Sequence, residues 1–356
     1  MAPKIRDVTV RPVRLPMAHP HQTASGTVAE SPLVLVKILT DAGISGHGIV
    51  FTYTPVALQP TADLISNMTS LIAGEDLAPT AIAQKLRQKF RLLGTHGLTG
   101  MALAGIDMAL WDALARVHNV SLVRLLGGEA RAVPAYGPVG YDGAINSAKA
   151  AEEWARKGFS AVKAKIGYPD VREDLETIRA IRNAVGPDVA IMVDYNQSLT
   201  PIDAITRLHV LDGEGLTWIE EPTLAHDFLG HAQIAAEIAT PIQCGENWWG
   251  ALEMRHAIEA RASDYMMLDL MKIGGVTGWL QASALGAAHG IRLSSHLWPE
   301  TSAQLLCATP TAHFLEYADW WNPVIEAPLQ IEKGMALISD APGSGVSFNE
   351  RALANL

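Results

Sequence analysis

The first apolar runs, KIRDVTVRPVRL and PLVLVKILTDAGISGHGIV, are rich in Val and Ile and predict β-strands through residues 4 to 50, with Asp41-Ala42-Gly43 as a hairpin turn. Between them MAHPHQTASGTVAESP shows no apolar period and is polar and glycine-containing, which predicts a mobile loop over 18–31, placed to act as a lid. From about residue 55 to 125 the period becomes that of a helix: Leu103, Ile106, Leu110, Ala113, Leu114 and Val117 fall at helical spacings, and Gly127-Gly128 ends the run. Strands followed by helices in one block predict an α+β domain over residues 1–128.

After Gly128 the rhythm changes. Short β-type runs recur as VPAYGPV, AVKAKIG, VAIMVDYN, TWIEEP, PIQCGEN, YMMLDL, RLSSHL and HFLEYA, separated by amphipathic stretches such as VREDLETIRAIRNAVG. Regular βα alternation predicts parallel strands with helical crossovers, and eight units suit a closed (β/α)8, TIM-like barrel of the α/β class over residues 129–323. A doubly wound open sheet is the alternative, but its glycine-rich phosphate loop is missing, since the first unit reads YGPVGYDG. The tail, 324–356, turns strand-like again and is expected to pack back on the capping domain formed by the N-terminal residues.

Composition narrows the class. Against 27 Lys and Arg the 356 residues hold 37 Asp and Glu, a net charge of −10, without a basic stripe, so nucleic acid is a poor partner. Cys244 and Cys307 lie in apolar runs without metal or disulfide spacing, which fits a reducing compartment. No uncharged apolar stretch long enough for a membrane span and no secretory h-region is present, and a cytoplasmic location is expected.

A barrel enzyme carries its chemistry on the carboxyl ends of its strands, and these ends are polar in order: Lys163 and Lys165, Asp194 and Asn196, Glu220 and Glu221, Glu246, Asp269, His296, Glu316. Lys163 and Lys165 share one side of their strand, so mutual repulsion is expected to lower one ammonium into the range of a usable base; alone, a Lys-x-Lys reads equally as a solvated pair. Asp194, Glu220 and Glu246 on three successive strands would repel without a cation, and an all-oxygen donor set favours Mg2+, with Mn2+ as a substitute. Asp269 and His296 suit a carboxylate that orients an imidazole, a second base across from Lys165. Glu316 is expected as a buried acid that, if protonated, donates to a developing oxyanion. Together these groups suit removal of a proton α to a carboxylate through an enediolate.

The segments KAKIGYP, IMVDYNQS, TWIEEPT, GENW, MKIGGVTGW, SSHL and HFLE, with GTVAESPLVLV, FTYTPVAL, GIDMALWDAL and LLGG nearer the N-terminus, resemble mandelate racemase of the enolase superfamily along essentially the whole chain. The resemblance implies the capped barrel, one Mg2+ per subunit on Asp194, Glu220 and Glu246, Lys165 and the Asp269-backed His296 as bases for opposite enantiomers, Lys163 beside the substrate carboxylate, Asn196 on the α-oxygen and Glu316 as electrophilic acid. It also implies a small carboxylate substrate and a homo-oligomer. Asp269 with His296 sets the chain apart from the muconate-lactonising branch, which has lysine there, and Lys272 is expected to be structural.

The substrate pocket departs from that pattern. His21 and Ser25 join the retained Val28 and Tyr53 in the lid, and Pro138 replaces a serine. Trp298, Tyr317, Trp320 and Trp321 are candidates for an aromatic wall, at least two of them expected as ordinary packing. These changes point to a 2-hydroxy or related acid other than mandelate, and leave open an acid-sugar dehydratase with His296 as general acid. A metal-dependent hydrolase built on His19-Pro20-His21 lacks later histidine ligands, and a non-catalytic binding protein would be expected to have lost some of these polar positions.

Overall fold

The structure, a computed structural model, describes residues 3–23 and 26–356, with side chains except at positions 18, 19, 21–23 and 26. Three antiparallel strands open the chain: β1 (Ile5–Thr23), β2 (Gly26–Thr40) and β3 (Ser45–Phe51). The segment read as a lid loop is a correction. It is the outer part of the β1–β2 hairpin, with His21 opposite Val28 and Thr23 opposite Gly26, beyond a register irregularity between Pro16 and His21. Backbone pairing propagated from the long inner ladder holds this two-stranded arm without needing an apolar period in its sequence.

Helices α1 (Pro55–Ile72), α2 (Pro79–Lys89), α3 (Gly97–Val117) and α4 (Leu122–Leu125) complete the capping domain. α3 is long and apolar enough to cross a membrane, yet 78% of its most apolar window is buried inside the protein, against β3 and the other capping helices. Close approach of sheet and helix depends on Gly46, where an added Cβ would meet the Ala109 carbonyl oxygen at 2.2 Å.

The barrel strands are β4 (Val133–Val139), β5 (Ala161–Lys165), β6 (Ala190–Asp194), β7 (Ile219–Glu220), β8 (Ile242–Cys244), β9 (Tyr265–Asp269), β10 (Leu293–His296) and β11 (Leu315–Glu316). Consecutive strands from β4 to β10 pair in parallel, and β11 pairs with β4 while Ser295 N–H donates to the Phe314 carbonyl, closing the ring. Between them run α5 (Gly143–Arg156), α6 (Val171–Val185), α7 (Pro201–Leu211), α8 (Phe228–Glu237), α9 (Ala251–Ala260), α10 (Gly275–His289) and α11 (Pro299–Cys307). All eight strands expected from the sequence are present, most of them shorter, because the chain turns through left-handed backbone at Asn196, Glu221 and Leu297 just past their ends. Trp218, Tyr136 and Phe314 plug the barrel interior edge to face, with ring centroids 5.7 to 6.4 Å apart.

The tail does more than return to the cap. Its hairpin β12 (Gln330–Glu332) and β13 (Met335–Leu337) adds antiparallel to β4, while Ser344 N–H and hydroxyl donate to Asp112 of α3 and the last helix, α12 (Glu350–Leu353), lies beside Arg11 of β1.

Cap and barrel are joined at a second buried acid, Asp107 of α3, which accepts from Thr277 N–H at 2.9 Å and Thr277 Oγ1 at 2.5 Å in the first turn of α10. Gly275 makes room for it, since a Cβ there would stand 2.4 Å from Asp107 Oδ2. Burial raises the Asp107 carboxyl to about 7, against the lowering effect of the Thr277 hydrogen bonds and Arg87. Between the free-carboxyl value of 3.8 and about 7 the folded protein therefore binds more protons here than the unfolded chain, and this contribution to stability is lost as pH rises through that window. Comparing the unfolding free energies of wild type and Asp107→Asn from pH 4 to pH 7 should show wild type losing ground by a few kcal/mol, and a constant difference would contradict the assignment.

Candidate active site

The barrel register assembles the charged residues before any side chain is considered. Lys165, Asp194 and Glu220 are direct neighbours across β5, β6 and β7, Asp269 and His296 across β9 and β10, and Glu316 stands opposite Tyr136 on β4. Glu246 follows the short β8, behind Gly245.

Carboxylate oxygens of Asp194, Glu220 and Glu246 lie within 4.8 Å of one another, all three residues are buried, and Glu246 Oε2 accepts no hydrogen bond. Such a cluster, hard and oxygen-only, fits a divalent cation of the Mg2+ kind. Its electrostatics carry the strain of crowding: burial raises the Glu220 carboxyl to about 8, with Asp194 and Glu246 adding to the rise and Lys163 opposing it. Trp218 of the barrel plug donates from Nε1 to Glu220 Oε2 at 3.0 Å, so the packed interior aims this carboxylate.

Lys163 is 3% exposed and pairs with Glu220 at 2.5 Å and Glu316 at 3.0 Å. Burial works to discharge it, but those two carboxylates, with Asp194, hold it firmly as an ammonium. Lys165 Nζ lies 2.7 Å from Asp194 Oδ2. Its pKa is raised, a correction to the depression expected from Lys163: burial and Lys163 do lower it, but Asp194 and Glu246 outweigh them. For Glu316 the condition attached to its role is not met in the resting site. Burial raises it, yet Lys163 and His296 bring it down to about 2, so it is held as a carboxylate, its Oε2 accepting Leu297 N–H at 3.1 Å.

His296 Nδ1 is 2.7 Å from Asp269 Oδ2, leaving Nε2 facing Glu246 at 3.4 Å and Glu316 at 3.7 Å. Burial lowers the imidazole, but Glu246, Glu316 and Asp269 together carry it to about 8. Asn196 donates from Nδ2 to Asp194 Oδ2 at 3.0 Å while its buried Oδ1 has no partner.

Above these groups lies a cavity of about 760 Å3, lined by Lys163, Lys165, Asn196, Glu246, His296 and Glu316 below and by Val28, Phe51, Tyr53, Met101, Trp249 and Trp320 around its sides. Of the aromatic candidates, Trp320 and Tyr317 line the cavity. Trp298 does not: its ring is buried, packs on Trp321 at 5.7 Å and donates to the Ile49 carbonyl at 2.9 Å, because left-handed backbone at Leu297 and Trp298 turns it under the cap. His21 is paired through its backbone, but its side chain and the whole of Ser25 lie outside the described residues, as does the side chain of His19.

Sequence reasoning missed two participants, Lys272 and Asn247, and named Glu221 at its strand end without a role. Lys272, expected as structural, lines the cavity: its Nζ donates to Asn247 Oδ1 at 2.5 Å and stands 4.7 Å over the Tyr53 ring. Asn247 in turn donates to both oxygens of Glu221, a further buried carboxylate, at 2.7 and 3.0 Å. The adjacent Glu220-Glu221 pair and the Glu246-Asn247 pair were the available signals. Six of the nine non-glycine residues with left-handed backbone among the described residues (Tyr53, Asn196, Gln197, Glu221, Leu297 and Trp298) border this site, where strained turns re-aim the chain after β3, β6, β7 and β10.

Comparison with known proteins agrees with this architecture. Residues 5–127 match the mandelate racemase/muconate lactonizing enzyme N-terminal domain, and residues 146–352 the enolase C-terminal domain-like model. The chain belongs to this family. The D-galactarolactone cycloisomerase of Agrobacterium fabrum is 32% identical over 94% of this chain and 93% of its own length. The L-talarate/galactarate dehydratase of Salmonella typhimurium is 31% identical over 91% of this chain and 82% of its own. A Bradyrhizobium enolase crystallised with magnesium and mandelic acid is 42% identical, with a TM-score of 0.95 over 100% of this chain and 98% of that one. More distant relatives include an epimerase and a racemase of amino-acid derivatives. The protein is thus an enolase-superfamily enzyme of Mg2+-dependent enediolate chemistry.

Proposed function

We propose that this family member catalyses 1,1-proton transfer, racemisation or epimerisation, at the α-carbon of a 2-hydroxy or related 2-substituted carboxylate. The observation that supports it is the pairing of two bases of different type around one cavity: Lys165 on β5, and His296 on β10 held by Asp269 at 2.7 Å. A single base would serve an elimination or a one-sided exchange; inversion needs a donor on the face opposite the acceptor.

In this reading Asp194, Glu220 and Glu246 hold Mg2+, which when bound offsets the clustered carboxylate charge and the charge that develops on the substrate carboxylate. Lys163, fixed as an ammonium, sits beside that carboxylate. Asp194 and Glu246 hold Lys165 as an ammonium in the resting site, and a cation on those two carboxylates would offset them and, with Lys163 alongside, favour the neutral amine. Neutral Lys165 then takes the α-proton of one enantiomer, the C–H electron pair passes into the carboxylate as an enediolate, and protonated His296 returns a proton to the opposite face. Lys165 is left as ammonium and His296 neutral, the state needed for the other enantiomer. Asn196 holds the α-oxygen with its free Oδ1 as acceptor. Glu316 is ionised in the resting site, and an arriving substrate carboxylate adds a like charge that shifts it toward protonation, where it can donate to the enediolate. Val28, Tyr53 and Trp320 contact the α-substituent, which this largely aromatic wall suits best when it is itself apolar.

A second reading rests on the relatives: the talarate/galactarate dehydratase makes β-elimination from the same enediolate an alternative, with His296 protonating the departing hydroxyl. Incubation with Mg2+ and a panel of 2-hydroxy and sugar acids, mandelate included, in D2O separates the two. Racemisation is expected to give α-deuteration with loss of optical rotation. Keto-acid formation without racemisation would favour the dehydratase, and neither α-exchange nor keto-acid formation with any acid would overturn both.

A further inference from the structure

Tyr53 reaches the site from the cap, not the barrel. It follows β3 in left-handed backbone (φ 57°), a conformation that costs a non-glycine residue about 1 to 2 kcal/mol. The strain is held from both sides: Thr54 N–H donates to the Thr52 carbonyl at 2.6 Å while Thr54 caps α1, and the Tyr53 ring packs on Phe51 at 4.7 Å. What the strained turn achieves is to send the ring over Lys272 and the hydroxyl to Asp269 Oδ2, 3.2 Å away.

That oxygen is the one already bonded to His296 Nδ1, and the other oxygen of Asp269 accepts Lys272 N–H at 2.8 Å. Asp269 is thus fixed by three donors, and one of them arrives from the capping domain. Lys165 is held instead by Asp194 on β6, a residue of the barrel itself.

We propose that Tyr53 is a positioning residue for one base only: its hydroxyl orients Asp269, and through it His296, so that docking of the cap serves the His296 face of the reaction and leaves the Lys165 face untouched. This rests on the two-base reading above. Rotation of the Asp269 carboxylate in the absence of the hydroxyl would let the imidazole swing from the line it needs to meet the α-carbon, and a base misplaced by an ångström loses much of its rate.

The test is Tyr53→Phe in the Mg2+-loaded enzyme, which keeps the ring over Lys272 and against the α-substituent and deletes only the hydroxyl that reaches Asp269. The racemisation equilibrium constant is one, so kcat/KM must stay equal for the two enantiomers in any variant, and asymmetry has to be read from α-hydrogen exchange in D2O. Once Lys165 has taken a proton its ammonium holds one substrate proton and two solvent deuterons, so exchange at its face proceeds without His296. With each enantiomer of the acid that exchanges fastest in the panel, racemisation by the variant should fall on the order of tenfold in kcat with little change in KM. Exchange at the enantiomer facing Lys165, identified as the one whose exchange Lys165→Ala abolishes, should stay within about twofold of wild type. Equal loss of exchange and racemisation, or no loss of racemisation, overturns the proposal; a wild-type enzyme that exchanges no acid overturns the two-base reading itself.

Discussion

Lys165→Ala is expected to abolish α-hydrogen exchange from one enantiomer of the substrate, and His296→Asn to block racemisation while sparing that exchange. Each should lower racemisation by about 10³-fold or more, since a positioned general base contributes roughly 10² to 10⁴ and neither face can be served from the other. The pattern matters more than the size. Lys165 and His296 stand on strands separated by three steps around the shorter arc of the ring, one paired with Asp194 and the other with Asp269, so deleting one leaves the other's orienting carboxylate in place. The measurement is deuterium incorporation by mass spectrometry beside polarimetry for each enantiomer. If both variants retained activity toward both enantiomers, the two-base mechanism would be wrong.

Removal of divalent metal is the second large effect expected. Chelation should reduce exchange by about 10³-fold or more, because several kcal/mol of stabilisation of the developing charge is lost with the cation, and Mg2+ or Mn2+ should restore it. A second readout does not depend on turnover. Asp194, Glu220 and Glu246 crowd their oxygens within 4.8 Å in a buried site, so a cation binding the folded state alone should raise the melting temperature in a concentration-dependent way. In Asp194→Asn combined with Glu246→Gln, added Mg2+ should leave the melting temperature unmoved. A wild-type melting temperature indifferent to Mg2+ would argue against this cluster as the metal site.

The ordered polar residues at strand ends were legible because two independent periodicities coincide there: βα alternation gives the strand ends, and a charged residue in a Val- and Ile-rich run has no other reason to be present. That logic reached the metal cluster, both lysines and the Asp269 and His296 pair. It did not reach Lys272 or Asn247, which lie in turns after the strands, where no periodicity marks which side chains face inward. It misplaced Trp298 for the same reason, since its direction is set by backbone with φ 47° and not by a strand alternation.

The protonation states were the least legible. A Lys-x-Lys spacing suggested a lowered Lys165, but register brings Asp194 directly alongside it, and one carboxylate at 2.7 Å outweighs the neighbouring ammonium. For Glu316 the sequence left the protonation state as a condition, and Lys163 at 3.0 Å keeps it ionised in the resting site.

By itself, then, the sequence determined the capped barrel and the chemical types of its polar strand ends, because repeat period and residue identity are local properties of the chain. Only the tertiary structure decided which of those groups are charged, that the lid is a hairpin arm, and that Tyr53 of the cap touches Asp269 of the barrel. Each of these depends on the separation of residues far apart in sequence, and electrostatic and hydrogen-bond energies change steeply over the few ångströms that spacing along a chain does not specify.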